Sequence, residues 1–119
     1  MASWQQTLQN AQFETRYSPD TLILDVRTPE EYRMWHLDGS VNVPIGVPPD
    51  RRRMNIFIAN LLRFSRRRGR PIIVYCRRGI RAGAMKEALE NAGFHNVINL
   101  GGIETMPLAV MRQKGITKL

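Results

Sequence analysis

Residues 71–76 read Pro-Ile-Ile-Val-Tyr-Cys, a short apolar segment rich in strand-forming residues. Polar and apolar residues do not alternate in it, which is typical of a strand covered on both faces. Such strands occur in parallel sheets, where a crossover helix joins each strand to the next. The segment therefore favours an α/β architecture and places its last residue, Cys76, at the carboxyl end of a strand.

The rest of the chain alternates in the same way. Strands are predicted over residues 21–26, 40–44 and 96–100, and helices over residues 3–12, 28–35, 54–64, 81–91 and from about 103 to 114. The helix at 28–35 has the clearest start, because Thr28 can cap it, Pro29 suits its first position and Glu31 completes a capping box. We predict one domain over residues 1–119, with a central parallel β-sheet, helices on both faces and right-handed crossovers.

The helix at 54–64 is expected to follow a cap at Asp50. Its apolar residues form a broad stripe that should face the core, namely Ile56, Phe57, Ile58, Leu61, Leu62 and Phe64. Arginines flank the stripe on both sides. Gly69 and Pro71 should end the segment.

Composition excludes several other classes. The chain has 119 residues, of which 43% are hydrophobic and 24% charged, as in ordinary soluble domains. No apolar run reaches the roughly 18 to 20 residues needed to cross a bilayer, and the N-terminus lacks a signal-peptide pattern. One cysteine rules out an internal disulfide, and His36 and His95 lack metal-ligand spacing. We expect a cytoplasmic protein without a metal site.

The charge is unevenly distributed. Lysine and arginine number 18 against 10 acidic residues, and residues 51–81 contain eleven arginines and no acid. This segment should attract small anions, and such a surface could also hold nucleic acid or phospholipid. The absence of interleaved aromatic residues disfavours nucleic acid and favours a solvated face.

Cys76 begins the strongest candidate site. Residues 76–81 read Cys-Arg-Arg-Gly-Ile-Arg and link a buried strand to a helix, where successive backbone N–H groups can form an anion-binding cradle. Such a cradle, with Arg77, Arg78 and Arg81, favours a thiolate. The alternative is that Cys76 is a small buried hydrophobic residue.

Several motifs, in order, resemble those of the rhodanese-like sulfurtransferases over about residues 20 to 106. They are Leu-Asp-Val-Arg at 24–27, Pro-Glu-Glu-Tyr at 29–32, His-Leu-Asp-Gly-Ser-Val-Asn-Val-Pro at 36–44, Val-Tyr-Cys at 74–76, Gly93, and Leu-Gly-Gly at 100–102. The resemblance implies that Cys76 accepts a sulfane sulfur as a persulfide and passes it to a thiophilic acceptor. Arg77, Arg78, Gly79, Ile80 and Arg81 match the substrate-binding loop. No cofactor is implied.

The resemblance also bears on the substrate. Phosphatase relatives of this fold have five residues between the cysteine and the arginine, whereas four separate Cys76 from Arg81. The shorter loop favours sulfur over phosphate or arsenate, and the pair Arg77 and Arg78 resembles thiosulfate-using rather than mercaptopyruvate-using members. This sequence departs from the family pattern at Trp35, Ala82 and Met106, where Gly, Ser and Trp are common.

Charged residues outside the loop suggest supporting roles. Asp25 lies at a strand end, so it could pair with Arg81 and hold the loop, or it could simply cap a turn. Arg27 and Glu31 are one helical turn apart and are expected to form a local ion pair. His36 is expected to stabilise a turn rather than act as a base.

The sequence therefore indicates a thiosulfate sulfurtransferase with Cys76 as nucleophile. With no second cysteine, a thiol, cyanide or a partner protein must discharge the persulfide. The rival hypothesis is a sulfur carrier or noncatalytic binding module that docks anionic partners through the arginine-rich helix.

Overall fold

Four strands and three helices make up the part of the chain that the computed structural model describes, which is residues 21–37, 39–64 and 67–102. In chain order they are β1 (Leu22–Asp25), α1 (Pro29–Met34), β2 (Val41–Asn42), α2 (Arg51–Phe64), β3 (Ile72–Cys76), α3 (Ile80–Asn91) and β4 (Val97–Gly102). Each corresponds to a predicted element. The helices predicted at 3–12 and near the C-terminus lie outside the described residues.

The strands form one sheet in the order β2-β1-β3-β4, and every neighbouring pair is parallel. The α/β architecture with a parallel sheet is thereby confirmed. Because the strands run in the same direction, Asp25, Asn42, Cys76 and Gly102 end them at the same edge of the sheet. We call this the carboxyl edge and the opposite one the amino edge.

Local signals explain the helix starts. Thr28 Oγ1 accepts a hydrogen bond from the Glu31 N–H at 3.1 Å, and Glu31 Oε1 accepts one from the Thr28 N–H at 3.0 Å. This is the capping box that the sequence predicts. Asp50 Oδ1 likewise accepts from the N–H groups of Arg52 and Arg53 and caps α2.

Both longer helices pack on one face of the sheet. Met54, Ile58 and Leu61 of α2 and Met85 and Leu89 of α3 join strand residues in a single apolar cluster. The broad stripe predicted for α2 is wrong at Ile56 and Phe64, which are 53% and 88% exposed. The core takes the residues spaced three and four apart from Met54, so Ile56 falls on the outer side of the helix.

β4 is longer than predicted. It continues through Gly101 and Gly102, and its pairing with β3 shifts register between Val74 and Tyr75. Within the described residues, no helix is long and apolar enough to cross a membrane.

Candidate active site

β3 delivers Cys76 to the carboxyl edge. All five residues of the strand are buried, and Cys76 is 1% exposed. Its side chain belongs to the same apolar cluster as Val74, Ala82 and Met85, so it lies on the face covered by α2 and α3. This position alone is compatible with the buried hydrophobic residue that the sequence left open as an alternative.

Hydrogen bonds to the sulfur favour the functional interpretation. Cys76 Sγ accepts from the Gly79 N–H at 2.9 Å and from the Ala82 N–H at 3.4 Å. These amides belong to the loop and to the first turn of α3, where backbone N–H groups have no partner within the helix. They present partial positive charge to the sulfur, which stabilises a thiolate or another anion at this position.

Glycine at position 79 makes this geometry possible. Gly79 is the N-cap of α3 and has φ of 101°, in the left-handed region that other residues adopt only with strain. A Cβ there would also lie 3.5 Å from the Cα of Gly101 on β4. The loop therefore turns tightly enough for the next amides to point back at the sulfur.

The end of β4 supports the loop from beside it. A Cβ at Gly102 would lie 3.0 Å from both the carbonyl oxygen of Arg77 and the Cα of Arg78. Asn99 connects the two segments, since its Nδ2 donates to the Gly79 carbonyl at 3.4 Å and its Oδ1 accepts from the Gly101 N–H at 2.8 Å. The Gly-Gly pair of the sequence motif thus lets β4 pack directly on the loop backbone.

Arg81 does not pair with Asp25, so that prediction is wrong. Its Nη1 and Nη2 donate to Oε1 and Oε2 of Glu31 at 2.7 and 3.2 Å. The predicted ion pair between Arg27 and Glu31 is also absent from the ion pairs of the described residues, because each of the two has another partner. The hydrogen bond from Arg81 lowers the pKa of Glu31 from 4.5 to about 2, although partial burial opposes the shift.

Asp25 instead pairs with Arg27. The guanidinium of Arg27 donates to both carboxylate oxygens at 2.7 to 3.1 Å, and the two side chains are 3% and 0% exposed. Arg27 also donates to the Trp35 carbonyl and lies 4.5 Å from the Trp35 ring centroid. The pairing is local, since the Arg27 N–H also donates to Asp25 Oδ1 at 2.9 Å and the bend after β1 brings the two side chains together.

Tyr75 completes this buried network. Its hydroxyl donates to Asp25 Oδ2 at 2.7 Å, accepts from the Leu37 N–H and lies 3.0 Å from Ser40 Oγ. Burial, chiefly, raises the pKa of the Tyr75 hydroxyl above its usual value. Since neighbouring residues of a strand point to opposite faces, Tyr75 and Asp25 lie on the face away from Cys76. Asp25 therefore holds the β1–α1 connection rather than the loop.

The remaining loop residues face solvent. Arg77 and Arg78 are exposed, and Ile80 is 76% exposed. His36 stabilises the turn after α1 as expected, with Nδ1 2.8 Å from the Tyr32 carbonyl and its ring stacked on that of Tyr32. Among the described residues, no group of three or more His, Cys, Asp or Glu side chains could hold a metal ion.

Three residues were missed in the sequence. For Glu31 the sequence indicates a capping box and a pair with Arg27, for Asn99 only a strand position, and for Tyr75 an apolar strand residue. A signal existed for two of them. A tyrosine inside an aliphatic buried strand needs a partner for its hydroxyl, and an asparagine two residues before Gly-Gly suggests a turn contact.

Comparisons with known proteins find relatives of this chain. Residues 5–105 match the rhodanese-like domain family. The thiosulfate sulfurtransferase PspE of Escherichia coli is 32% identical over 92 residues, which cover 77% of this chain and 78% of that protein. The thiosulfate:glutathione sulfurtransferase of Saccharomyces cerevisiae is 31% identical over 88 residues, covering 68% of this chain and 60% of the yeast protein.

Other similarities are partial or structural. Bacterial proteins named tRNA uridine(34) hydroxylase also match, but over only 23 to 25% of their own length. A solved structure described as rhodanese with anions from E. coli superposes with a TM-score of 0.57 at 30% identity, covering 73% of this chain and 94% of that one.

Proposed function

The chain belongs to the rhodanese-like family, and on that basis we propose that it is a thiosulfate sulfurtransferase that works through a persulfide on Cys76. The observation that carries the proposal is the pair of backbone N–H groups, from Gly79 and Ala82, that donate to the Cys76 sulfur. An uncharged buried thiol would not need such donors. A thiolate does, and so does a persulfide anion formed in the same place.

In the first step, the Cys76 thiolate attacks the outer sulfur of thiosulfate. The new Cys76 S–S bond forms as the S–S bond of thiosulfate breaks, and sulfite leaves with the electron pair of that bond. The persulfide carries the negative charge that the thiolate carried before, so the amides of the loop stabilise both states. No proton needs to move, and no metal or organic cofactor takes part in this scheme.

In the second step, an external nucleophile removes the outer sulfur. A thiolate forms a new persulfide on the acceptor, cyanide forms thiocyanate, and in both cases Cys76 leaves as the thiolate. The acceptor must come from outside because Cys76 is the only cysteine in the chain. The activity named in the yeast relative, thiosulfate:glutathione sulfurtransferase, is of this form.

The loop arginines favour a small dianionic donor. Arg77 and Arg78 are exposed beside the buried sulfur, so they can meet the negative oxygens of thiosulfate while its sulfur reaches Cys76. Mercaptopyruvate carries one negative charge, so it gains less from the same pair. We propose a cytoplasmic enzyme, as the sequence predicts.

The exposed side of α2 favours a second candidate. Arg51, Arg52, Arg53 and Arg63 are exposed there together with Ile56 and Phe64. Such a surface suits an anionic protein, so the chain could instead be a sulfur carrier or a binding module with little turnover of its own.

A side-by-side turnover assay with thiosulfate, mercaptopyruvate and an aryl phosphate tests these candidates together. Cyanide serves as acceptor for the two sulfur donors, and thiocyanate is measured, while the third reaction is followed by release of the phenol. We expect turnover with thiosulfate, much less with mercaptopyruvate and none with the aryl phosphate. Glutathione replaces cyanide in a parallel series.

Cys76→Ala is the matched control, since alanine fills the same buried position without a sulfur. Its thiocyanate production should equal the uncatalysed rate. Stoichiometric loading of Cys76 without turnover would support the sulfur carrier, and no loading at all would support the binding module. Preference for the aryl phosphate would contradict the proposal outright.

A further inference from the structure

We propose that Glu31 is a positioning residue for sulfur transfer, which holds the Cys76 loop in its active shape by fixing Arg81. This inference rests on the proposed function, because it names a residue outside the loop on which that same site depends. Glu31 lies on α1, about fifty residues before Arg81 in the sequence and on a different element. Its contact with Arg81 is therefore a tertiary contact rather than a local helical pair.

The geometry of the pair is that of an anchor. Two parallel hydrogen bonds, at 2.7 and 3.2 Å, join the guanidinium of Arg81 to both oxygens of Glu31. The two side chains are only 14% and 26% exposed. Two parallel hydrogen bonds between a guanidinium and a carboxylate fix the orientation of both groups as well as their distance. Partial burial protects the ion pair from solvent screening.

Glu31 is itself held in place. Its Oε1 accepts from the Thr28 N–H at 3.0 Å, and its own N–H donates to Thr28 Oγ1 at 3.1 Å. The same carboxylate thus completes the capping box of α1 and binds Arg81. The start of α1 and the start of α3 are joined through one side chain, and α3 starts directly after the loop.

Arg81 transmits this constraint to the sulfur. It lies in the first turn of α3, one residue before Ala82, whose N–H donates to Cys76 Sγ. The hydrogen bond to Glu31, chiefly, raises the pKa of Arg81. A displacement of Arg81 would therefore move the neighbouring Ala82 amide away from the sulfur.

A division of roles among the loop arginines follows. The positive charge of Arg81 is largely balanced by Glu31, so Arg81 mainly sets the position of the amides. Arg77 and Arg78 are exposed on the loop, where thiosulfate can reach them. The sequence assigns all three to substrate binding.

Glu31→Gln is the test variant, because glutamine can still close a capping box but cannot form the charged fork. Two controls separate other effects. Glu30→Gln removes a carboxylate from the same turn, where Glu30 makes an exposed pair with Arg33 at 3.5 Å. Thr28→Ala weakens the cap but keeps the carboxylate of Glu31.

Two measurements are made on each variant, well below its unfolding temperature. They are kcat and KM for thiosulfate with cyanide as acceptor, and the rate of alkylation of Cys76 by iodoacetamide. For Glu31→Gln we expect kcat and the alkylation rate to fall by about tenfold each, with KM changed by less than about threefold. The reason is that displaced amides stabilise the Cys76 thiolate less well, which affects the reacting atom more than the binding of thiosulfate. Glu30→Gln should remain within about twofold of the wild type, and Thr28→Ala, which weakens the cap but keeps both hydrogen bonds to Arg81, should lose clearly less than Glu31→Gln.

A double-mutant cycle with Arg81→Gln decides whether Glu31 acts through Arg81. If it does, the double variant should lose no more kcat than Arg81→Gln alone, since each change breaks the same contact. Losses that multiply would overturn the proposal, as would a Glu31→Gln protein with wild-type kcat and alkylation rate. A drop in activity that Thr28→Ala reproduces would reduce Glu31 to a capping residue.

The alkylation measurement keeps this proposal separate from the proposed function. If wild-type protein shows no sulfur transfer but Glu31→Gln still slows alkylation of Cys76, then the anchor is correct and the function is wrong. If the wild type turns over thiosulfate and neither rate changes in the variant, the function stands and the anchor is wrong.

Discussion

Arginines lie at both ends of β3, but only those at the carboxyl edge adjoin Cys76. Arg77, Arg78 and Arg81 follow Cys76, whereas Arg67, Arg68 and Arg70 precede the strand at the amino edge. There the Arg68 carbonyl accepts from the His95 N–H, and its guanidinium lies 5.2 Å from the Phe94 ring centroid. The two groups are consecutive in the basic segment of the sequence and yet separated in space.

The length of the strand determines what each group can do. Five residues at roughly 3.3 Å each place the two edges about 16 Å apart. At physiological ionic strength the Debye length is about 8 Å, so exposed charges at the amino edge are largely screened from Cys76. A dense run of charge in a sequence is therefore not a single electrostatic site, and the expectation that all of residues 51–81 attract the donor applies mainly to the loop.

Gly102→Ala tests whether the loop arginines depend on backbone position. The added Cβ would lie 3.0 Å from the backbone of Arg77 and Arg78, so the loop backbone must give by a few tenths of an ångström. Because a displacement of about 1 Å at a reacting group can cost about 100-fold, we expect this smaller displacement to lower kcat/KM for thiosulfate by about 10-fold or more.

Gly83→Ala is its control. A Cβ at Gly83 would meet only the Asn99 side chain, at 3.6 Å, and alanine suits a helix interior better than glycine. This variant should keep its activity and be slightly more stable to heat. Equal losses in the two variants would mean that the packing of β4 on the loop is unimportant for transfer.

A second pair of variants compares the two edges at equal change of charge. Replacing Arg77 and Arg78 with glutamine should lower kcat/KM for thiosulfate by about 10 to 100-fold at 0.15 M salt, because each charge-assisted hydrogen bond contributes about 1.5 kcal/mol or more. Replacing Arg67 and Arg70 should lower it by less than about twofold. Steady-state kinetics on purified, folded protein gives both numbers. Similar losses at the two edges would show that the distance of an arginine from Cys76 does not determine its effect on thiosulfate use.

Low pH should weaken the ion pair between Glu31 and Arg81 at the carboxyl edge. The pKa of Glu31 is about 2 in the folded protein against 4.5 for the free side chain, so the ion pair with Arg81 stabilises the fold above pH 4.5. That contribution, on the order of 2 to 3 kcal/mol, is lost as the pH falls from 4.5 towards 2.

Urea unfolding of wild type and Glu31→Gln between pH 2 and 6 measures this effect. The two proteins should differ most in free energy of unfolding near pH 6 and converge towards pH 2. A difference that stays constant over this range would show that ionisation of Glu31 does not contribute to folding.

The smallest effect should be a salt dependence confined to the amino edge. At about 10 mM salt the Debye length grows to about 30 Å, so Arg67 and Arg70 can then raise the local concentration of thiosulfate. Their replacement should change kcat/KM by about two to threefold at this ionic strength and not at 0.15 M. If kcat/KM is unchanged even at about 10 mM salt, Arg67 and Arg70 do not attract thiosulfate to the site.

The sequence predicts most of the fold because the signals for its elements are local. The apolar run of β3, the capping box at Thr28 and the cap at Asp50 each depend on a few adjacent residues, and all are confirmed. The outward position of Ile56 and Phe64 was not predicted, because an arginine-rich helix offers more apolar residues than one face can bury.

The partners of the charged residues could not be predicted in the same way. Asp25, Arg27, Glu31 and Arg81 are two acids and two bases that lie near one edge of the sheet, and the sequence does not indicate which of them share a face. The bend after β1 places Asp25 with Arg27, and the start of α3 brings Arg81 to α1. Both predicted pairs exchange partners as a result. The sequence indicates Cys76 and its loop more directly, because strand, glycine and helix start are consecutive.

The most direct test of the central claim is the mass of the intact protein after exposure to thiosulfate. Cys76 is the only thiol, so we expect the wild type to gain the mass of one sulfur atom, and then to lose it on addition of cyanide with release of one equivalent of thiocyanate. Cys76→Ser should fold and show neither change, because an unactivated hydroxyl does not form a persulfide. Sulfur loading or thiocyanate production by Cys76→Ser above the uncatalysed rate, or a wild-type protein whose mass does not change, would contradict the mechanism.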